Sequence, residues 1–391
     1  MNLTNEDNLR LNVLLATKPQ AIRIDESKMI VYGLSEKGEA KIQLHATCRD
    51  EQYLRLVREL ISGQLLGSPY PVYLKRWTRM GQTKDDRLDQ LLMLGEPEAV
   101  VAVAYAPNLT PELARRAWWA MQNSDNARSM LKNEELVQSP IGKELAQYLV
   151  EYLPFEEDAA DIIDSVRLIL TLVDDDTRQK LWNKGRTKTA YLVGFLWAQP
   201  DTLPNPSPAL QIQTNLIHLV DKNNIAKQLL RIMSPAGQTF IDTCERVLRK
   251  PSNQEVVNSL FDAIAHYFES IRPDNYDDDM NIITLVERAS NGCETCLDTT
   301  SVERREILAA LPEMQDSVKA MLILSGLGYS VLRPIFSRTT AIGSLMRKKL
   351  APVTEPILEQ FSILRGVETL NKHSYPGIKK IEGSSRKDTC V

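Results

Sequence analysis

The sequence predicts a mainly α-helical protein: an irregular multi-helical, helical-repeat-like array with a small N-terminal antiparallel β-meander. Three observations carry this. Between residues 51 and 370, apolar side chains recur at helical spacing, enough for about 18 short amphipathic segments. Ahead of residue 50 the apolar period is two instead. Ser/Thr-Pro pairs then punctuate the helical part where helices would begin.

Residues 1–50 form the predicted meander, of two or three strands. Gln20-Ala-Ile-Arg-Ile-Asp alternates apolar and polar residues, as do Lys28-Met-Ile-Val-Tyr-Gly and Ala40-Lys-Ile-Gln-Leu-His. Asp25-Glu-Ser and Ser35-Glu-Lys-Gly supply the turns. Three strands alone are marginal in water, so one face is expected to pack on the helical body.

From Asp50 the period changes. Leu54, Val57, Leu60, Ile61 and Leu65 fall on one helical face. Thr110-Pro111, Ser139-Pro140, Ser207-Pro208 and Ser234-Pro235 each place a hydroxyl where it can accept an orphan N–H, followed by a residue with no N–H to lose. Ser252 with Glu255, and Thr300 with Glu303, have capping-box spacing. Leu145, Leu149 and Tyr152 form one stripe; Val256, Leu260, Ala263 and Tyr267 form another. Asp161–Leu172 is apolar over more than one face, which predicts a central helix packed on two sides. The helix starts are unevenly spaced, so an irregular helical domain fits as well as a true solenoid.

Two breaks organise the helical part. Gln199–Pro208 holds four prolines in ten residues and separates a first helical half, 51–199, from a second, 207–370. Ile271-Arg-Pro-Asp-Asn-Tyr-Asp-Asp-Asp is the other polar break. Residues 371–391 lack an apolar period and are expected to be a flexible C-terminal tail.

The 391 residues carry 47 basic and 51 acidic side chains, a net charge of −4. Neither a nucleic-acid footprint nor a polybasic membrane surface is indicated, so neither is expected as a partner. The first residues have no basic and apolar leader pattern, and no charge-free apolar run reaches membrane-spanning length. The expected location is the cytoplasm, with Cys48, Cys244, Cys293, Cys296 and Cys390 as reduced thiols.

Cys293-Glu-Thr-Cys296 is the one chemically suggestive motif. Its spacing suits a redox or sulfur-relay dithiol, or half of a zinc site. The plainer reading is two thiols in a helix–helix loop. No second ligand pair lies close by, and the flanking segments look helical rather than strand-then-helix, so no metal site and no cofactor is expected. Cys390 sits on the expected tail, and a tail with an incidental cysteine is the simpler account. The four histidines lie too far apart to pair on a helix. Asp174-Asp-Asp and Asp277-Asp-Asp read as solvated caps, and Ser325-Gly-Leu-Gly-Tyr as a helix end. Lys75-Arg-Trp-Thr-Arg and Arg115-Arg-Ala-Trp-Trp mix cations with indoles; stacking on nucleic acid competes with the plainer reading, rings buried and charges exposed.

Five strings point beyond composition: Tyr70-Pro-Val-Tyr-Leu-Lys-Arg-Trp-Thr-Arg-Met-Gly-Gln, Leu91-Leu-Met-Leu-Gly-Glu-Pro-Glu-Ala-Val-Val-Ala-Val, Arg115-Arg-Ala-Trp-Trp-Ala-Met, Asn126-Ala-Arg-Ser-Met-Leu and Tyr152-Leu-Pro-Phe-Glu-Glu. Through them the chain resembles the DsrS family, encoded with reverse-acting dissimilatory sulfite reductase in sulfur-oxidising bacteria. The resemblance implies a cytoplasmic accessory protein of sulfur oxidation whose partners are other proteins of that machinery. It carries over no catalytic residue. The expected function is therefore non-enzymatic, accessory or regulatory, exerted through a helical surface. The alternative is a thiol-active sulfur carrier or redox protein using Cys293 and Cys296.

Overall fold

A computed structural model describes residues 3–66, 88–274, 276, 280–291, 299–337 and 343–366. The chain is mainly α-helical with a small three-stranded antiparallel sheet near its start. It divides into two compact units. The first takes residues 1–205 with 249–263 and 341–346; the second takes 206–248, 264–340 and the remainder from 347.

The first unit opens with a helix that the alternation had not suggested. α1 (Asn5–Ala16) begins at Thr4, whose Oγ1 accepts the Asp7 N–H at 3.1 Å. Leu11, Leu14 and Leu15 turn inward, but Leu9 and Val13 stay exposed, so the apolar residues encircle the helix and its stripe is blurred. β1 (Ala21–Asp25), β2 (Ile30–Ser35) and β3 (Gly38–Gln43) follow in the order β1-β2-β3, with Arg23 opposite Tyr32 and Val31 opposite Ile42. Leu14 lies against Gly33, where a Cβ would meet its Cδ1 at 2.7 Å; the strand glycine is there for close packing. With α2 (Asp50–Leu66), these elements enclose Leu11, Leu14, Ile22, Val31, Ile42, Tyr53, Val57 and Ile61. The meander thus packs on α2, as its marginal size requires, and on α1 as well.

Among the described residues this unit continues with the helices α3 (Leu88–Leu91), α4 (Pro97–Ala104), α5 (Pro111–Ala120), α6 (Ser124–Leu131), α7 (Glu134–Val137), α8 (Pro140–Tyr152), α9 (Ala159–Ile169), α10 (Asp175–Lys184) and α11 (Ala190–Ala198). α9 is the twice-packed helix, lying against α6, α8 and α11. Ala190 to Leu196 of α11 are all buried, so this helix is apolar all round. Gly194 lets it close on α9: a Cβ there would meet Val166 at 2.7 Å.

The second unit contains α12 (Thr214–Leu219), α13 (Asn224–Met233), most of α14 (Pro235–Arg249), the end of α15 (Gln254–Tyr267), α16 (Ile282–Asn291), α17 (Thr299–Ala310), α18 (Gln315–Ser325), α19 (Tyr329–Phe336) and most of α20 (Gly343–Leu364). Phe240 and Tyr267 stack at 3.8 Å, and the Arg231 guanidinium lies over the Tyr267 ring. Asn223 caps α13 through the Ala226 N–H and donates its own amide to the Glu303 carbonyl at 2.9 Å.

The helix-start signals divide. Thr110 accepts the Leu113 N–H and Ser234 the Gly237 N–H. Ser139 instead donates back to the Leu136 carbonyl, and α8 starts without a side-chain cap. Ser207-Pro208 starts no helix. There the Ser207 N–H donates to Thr239 Oγ1 and the Leu210 N–H to the Met233 carbonyl, so tertiary partners hold an extended chain until Thr214. At α15 the cap is Asn253, one residue beyond Ser252.

Among the described residues no single helix is long and apolar enough to cross a membrane. One bent pair, Pro312–Ser325 with Tyr329–Phe336, meets the length and composition together, and Val318 with Ala320–Ser325 of that pair are buried in the protein.

Candidate functional site

The feature that stands out is a row of four aromatic rings running from the interior to solvent. It starts at Trp118 on α5, which is buried and donates Nε1–H to Glu144 Oε1 at 2.9 Å. Tyr148 meets Trp118 edge-on at 4.9 Å. Tyr152, one turn further along α8, stacks on Tyr148 with ring centroids 5.9 Å apart and planes 8° from parallel. Phe155 follows at 6.5 Å. Tyr152 is 38 % exposed and Phe155 is 75 % exposed. The expected core stripe is therefore only partly a core stripe: Leu145 and Leu149 are buried, while Tyr152 turns outward onto the ring row.

Local structure fixes this row. A 3-10 turn over Leu153–Phe155 ends α8, as Pro154 cannot donate into a continuing helix. Leu153 is buried and its carbonyl accepts the Tyr191 hydroxyl at 3.2 Å. Immediately after Phe155, Glu156 takes Arg128 Nη1 at 2.9 Å, and Asp158 caps α9 through the Ala160 N–H. A large apolar ring is thus held out to water on a turn pinned at both ends.

The surroundings are acidic. Residues 144 to 164 carry Glu144, Glu151, Glu156, Glu157, Asp158, Asp161 and Asp164, and no lysine or arginine. Arg128, almost wholly buried, answers part of this: it pairs with Asp125, with Glu156 and with Asp161 at 3.2 Å, and donates to Ser165. Lys132 pairs with Asp164, and Lys188 donates to the Glu156 carbonyl. Burial, then the neighbouring charges of Glu156, Asp158 and Asp125, push the Asp161 carboxyl above its usual range despite Arg128. Burial likewise raises the Tyr148 phenol, with Tyr152 beside it.

A second cluster ties α1 to the sheet. Asp7 is fully buried and accepts the Tyr53 hydroxyl at 2.6 Å and the His45 N–H at 2.8 Å; the His45 ring lies at 3.3 Å and is half exposed. A third feature is a cleft of about 380 Å³ beside β1, with Ile22, Ile24, Pro97 and Val100 among its walls. Arg23 lines it between the rings of Tyr32 and Trp119, at 4.4 and 5.1 Å, and pairs loosely with Glu39.

Cys293 and Cys296, the predicted thiol pair, lie outside the described residues, as do Cys390, Lys75–Arg79 and Asp277–Asp279. Of the described cysteines, Cys48 is half-buried, and Cys244 is enclosed, its thiol raised well above the usual range by burial. Among the described residues, no group of three or more His, Cys, Asp or Glu side chains could hold a metal ion. Arg115 and Arg116 turn back to Glu112 while Trp118 is buried and Trp119 donates to Glu39, the plainer reading of that segment. Asp174 caps α10 through the Thr177 N–H.

Sequence reasoning missed Phe155 as a functional candidate. The available signal was a Pro-Phe pair ending a helix inside a stretch with seven acidic residues and no base. No protein-family model, curated protein or solved structure matches this chain.

Proposed function

We propose that this is a non-enzymatic accessory or regulatory protein of cytoplasmic dissimilatory sulfur oxidation, acting through a helical protein-interaction surface on other proteins of that machinery. The observation that carries the surface reading is the rigidly presented Phe155 at the end of the Trp118–Tyr148–Tyr152 row. Aromatic side chains dominate interface hot spots because they bury much area for little conformational entropy. Phe155, three-quarters exposed on a pinned turn, and the partly exposed Tyr152 next to it present adjoining rings that suit that role. The sulfur-oxidation context rests on the sequence strings that resemble the DsrS family.

The test is genetic. A strain lacking the protein should consume stored sulfur more slowly, or hold less of the sulfite reductase machinery, and the parent chain should restore it. The Tyr152→Ser/Phe155→Ser variant should fold, by circular dichroism and melting, yet fail to restore. Normal sulfur consumption at normal reductase levels in the deletion strain would overturn the assignment.

A further inference from the structure

We infer that the aromatic row on α8 receives a basic segment of a protein partner, whose arginine or lysine side chains lie over Tyr152 and Phe155 and reach the adjacent carboxylates. This rests on the interaction-surface reading above and names the chemistry of the occupant.

Charge complementarity argues for it first. The stretch from residue 144 to 164 holds seven acidic groups and no basic one, whereas the whole chain has a net charge of only −4. The cations that the fold brings up are already engaged: Arg128 with Asp125, Glu156 and Asp161, Lys132 with Asp164, and Lys188 with the Glu156 backbone carbonyl. Among the described residues no ion pair reaches Glu151, Glu157 or Asp158. These three flank Tyr152 and Phe155 in sequence and are exposed.

The rings themselves argue for it second. The negative face of an aromatic ring attracts a cation, most strongly where both are partly desolvated. Elsewhere the fold satisfies that preference: Arg23 lies over Tyr32, Arg167 over Trp197 and Arg231 over Tyr267. Among the described residues no cation lies over Tyr148, Tyr152 or Phe155. A segment that supplies cations to these faces also brings positive charge to the acidic stretch of chain that carries them, so one partner serves both. Two copies joined symmetrically through this surface would set acid against acid, and a nucleic acid would meet the same repulsion.

Two measurements on the full chain test this. The first uses fluorescein-labelled 12-residue peptides of alternating leucine and arginine, or of alternating leucine and glutamate, read by anisotropy. The arginine peptide should bind and lose affinity with rising salt. Phe155→Ala and Glu151→Lys/Glu157→Lys should each weaken it about tenfold or more, while the charge-matched Asp175→Lys/Asp176→Lys on α10 should not. Equal binding of the glutamate peptide, or equal weakening by the α10 variant, overturns the inference. The second replaces Phe155 with photoreactive benzoylphenylalanine in cells and maps the linked peptide. A linked segment rich in Arg and Lys supports the inference. A neutral or acidic segment, or a second copy of this chain, overturns it while leaving an interaction surface. No protein cross-link at all removes the surface reading with it.

Discussion

Tyr53 donates its hydroxyl to Asp7 across 2.6 Å, and the carboxylate that receives it has no exposure to solvent. The bond links α2 to the first turn of α1, and the His45 N–H brings in the chain two residues past the end of β3. Burial pushes the Asp7 carboxyl up, but the bonds from Tyr53, His45 and Thr4 outweigh it and hold the group below its ordinary value. A carboxylate with a depressed folded value stabilises the fold fully above its unfolded value, near 3.8. That contribution is lost as pH falls through the folded value. Tyr53→Phe should therefore cost about 1–3 kcal/mol at neutral pH and move acid unfolding to higher pH. Urea melts across the acid range of parent and variant would show it; coincident acid limbs would count against the role given to this bond.

Arg128 should be the more expensive loss. Its guanidinium is buried among Glu156, Asp161 and Ser165, so Arg128→Ala leaves Glu156 inside without its cation. Removing one partner from a buried pair costs about 3–5 kcal/mol, and this site should fall near the lower end because Asp161 is partly exposed. The reverse change, Phe155→Ala, should alter stability by no more than about 0.5 kcal/mol, since the ring lies mostly in water. Chemical denaturation of both variants separates the residue that builds the turn from the residue the turn presents.

Gly237 offers a test of packing against propensity. It lies in the first turn of α14, where alanine would ordinarily gain up to about 1 kcal/mol. Here a Cβ would collide with backbone atoms of Arg231 and Ile232 at the end of α13. Gly237→Ala should thus lower the melting temperature, not raise it, because backbone cannot move aside as a flexible side chain can.

Native alkylation should leave Cys244 unmodified, since its sulfur is enclosed and burial disfavours the thiolate. Unfolding in urea should expose it. On the surface reading, the Cys293→Ser/Cys296→Ser variant supports sulfur oxidation as well as the parent. Native labelling of both thiols together with loss of function in that variant would favour a sulfur relay instead.

The helical class and the three strands were legible because they depend on periods of two and 3.6, which short-range sequence carries. The capping prolines at Pro111, Pro140 and Pro235 were legible for the same reason. Where local signals failed, a distant partner had won: Ser207 gives its N–H to Thr239 rather than starting a helix, and α1 hides its stripe by keeping Leu9 and Val13 outside. Phe155 was missed as a site because an aromatic residue at a helix end signals burial as readily as exposure, and only the acidic stretch around it pointed the other way.

By itself, then, the sequence determined the mainly helical class, the small N-terminal antiparallel meander, several helix starts and the acidic stretch around residues 144–164, all properties of neighbours along the chain. Only the tertiary structure decided that Trp118 from α5 would anchor Tyr148, that Arg128 from α6 would pin the turn after α8, and that Tyr152 and Phe155 would be left facing water. Those outcomes depend on which helices meet, and helical spacing specifies a buried face without naming the element that covers it.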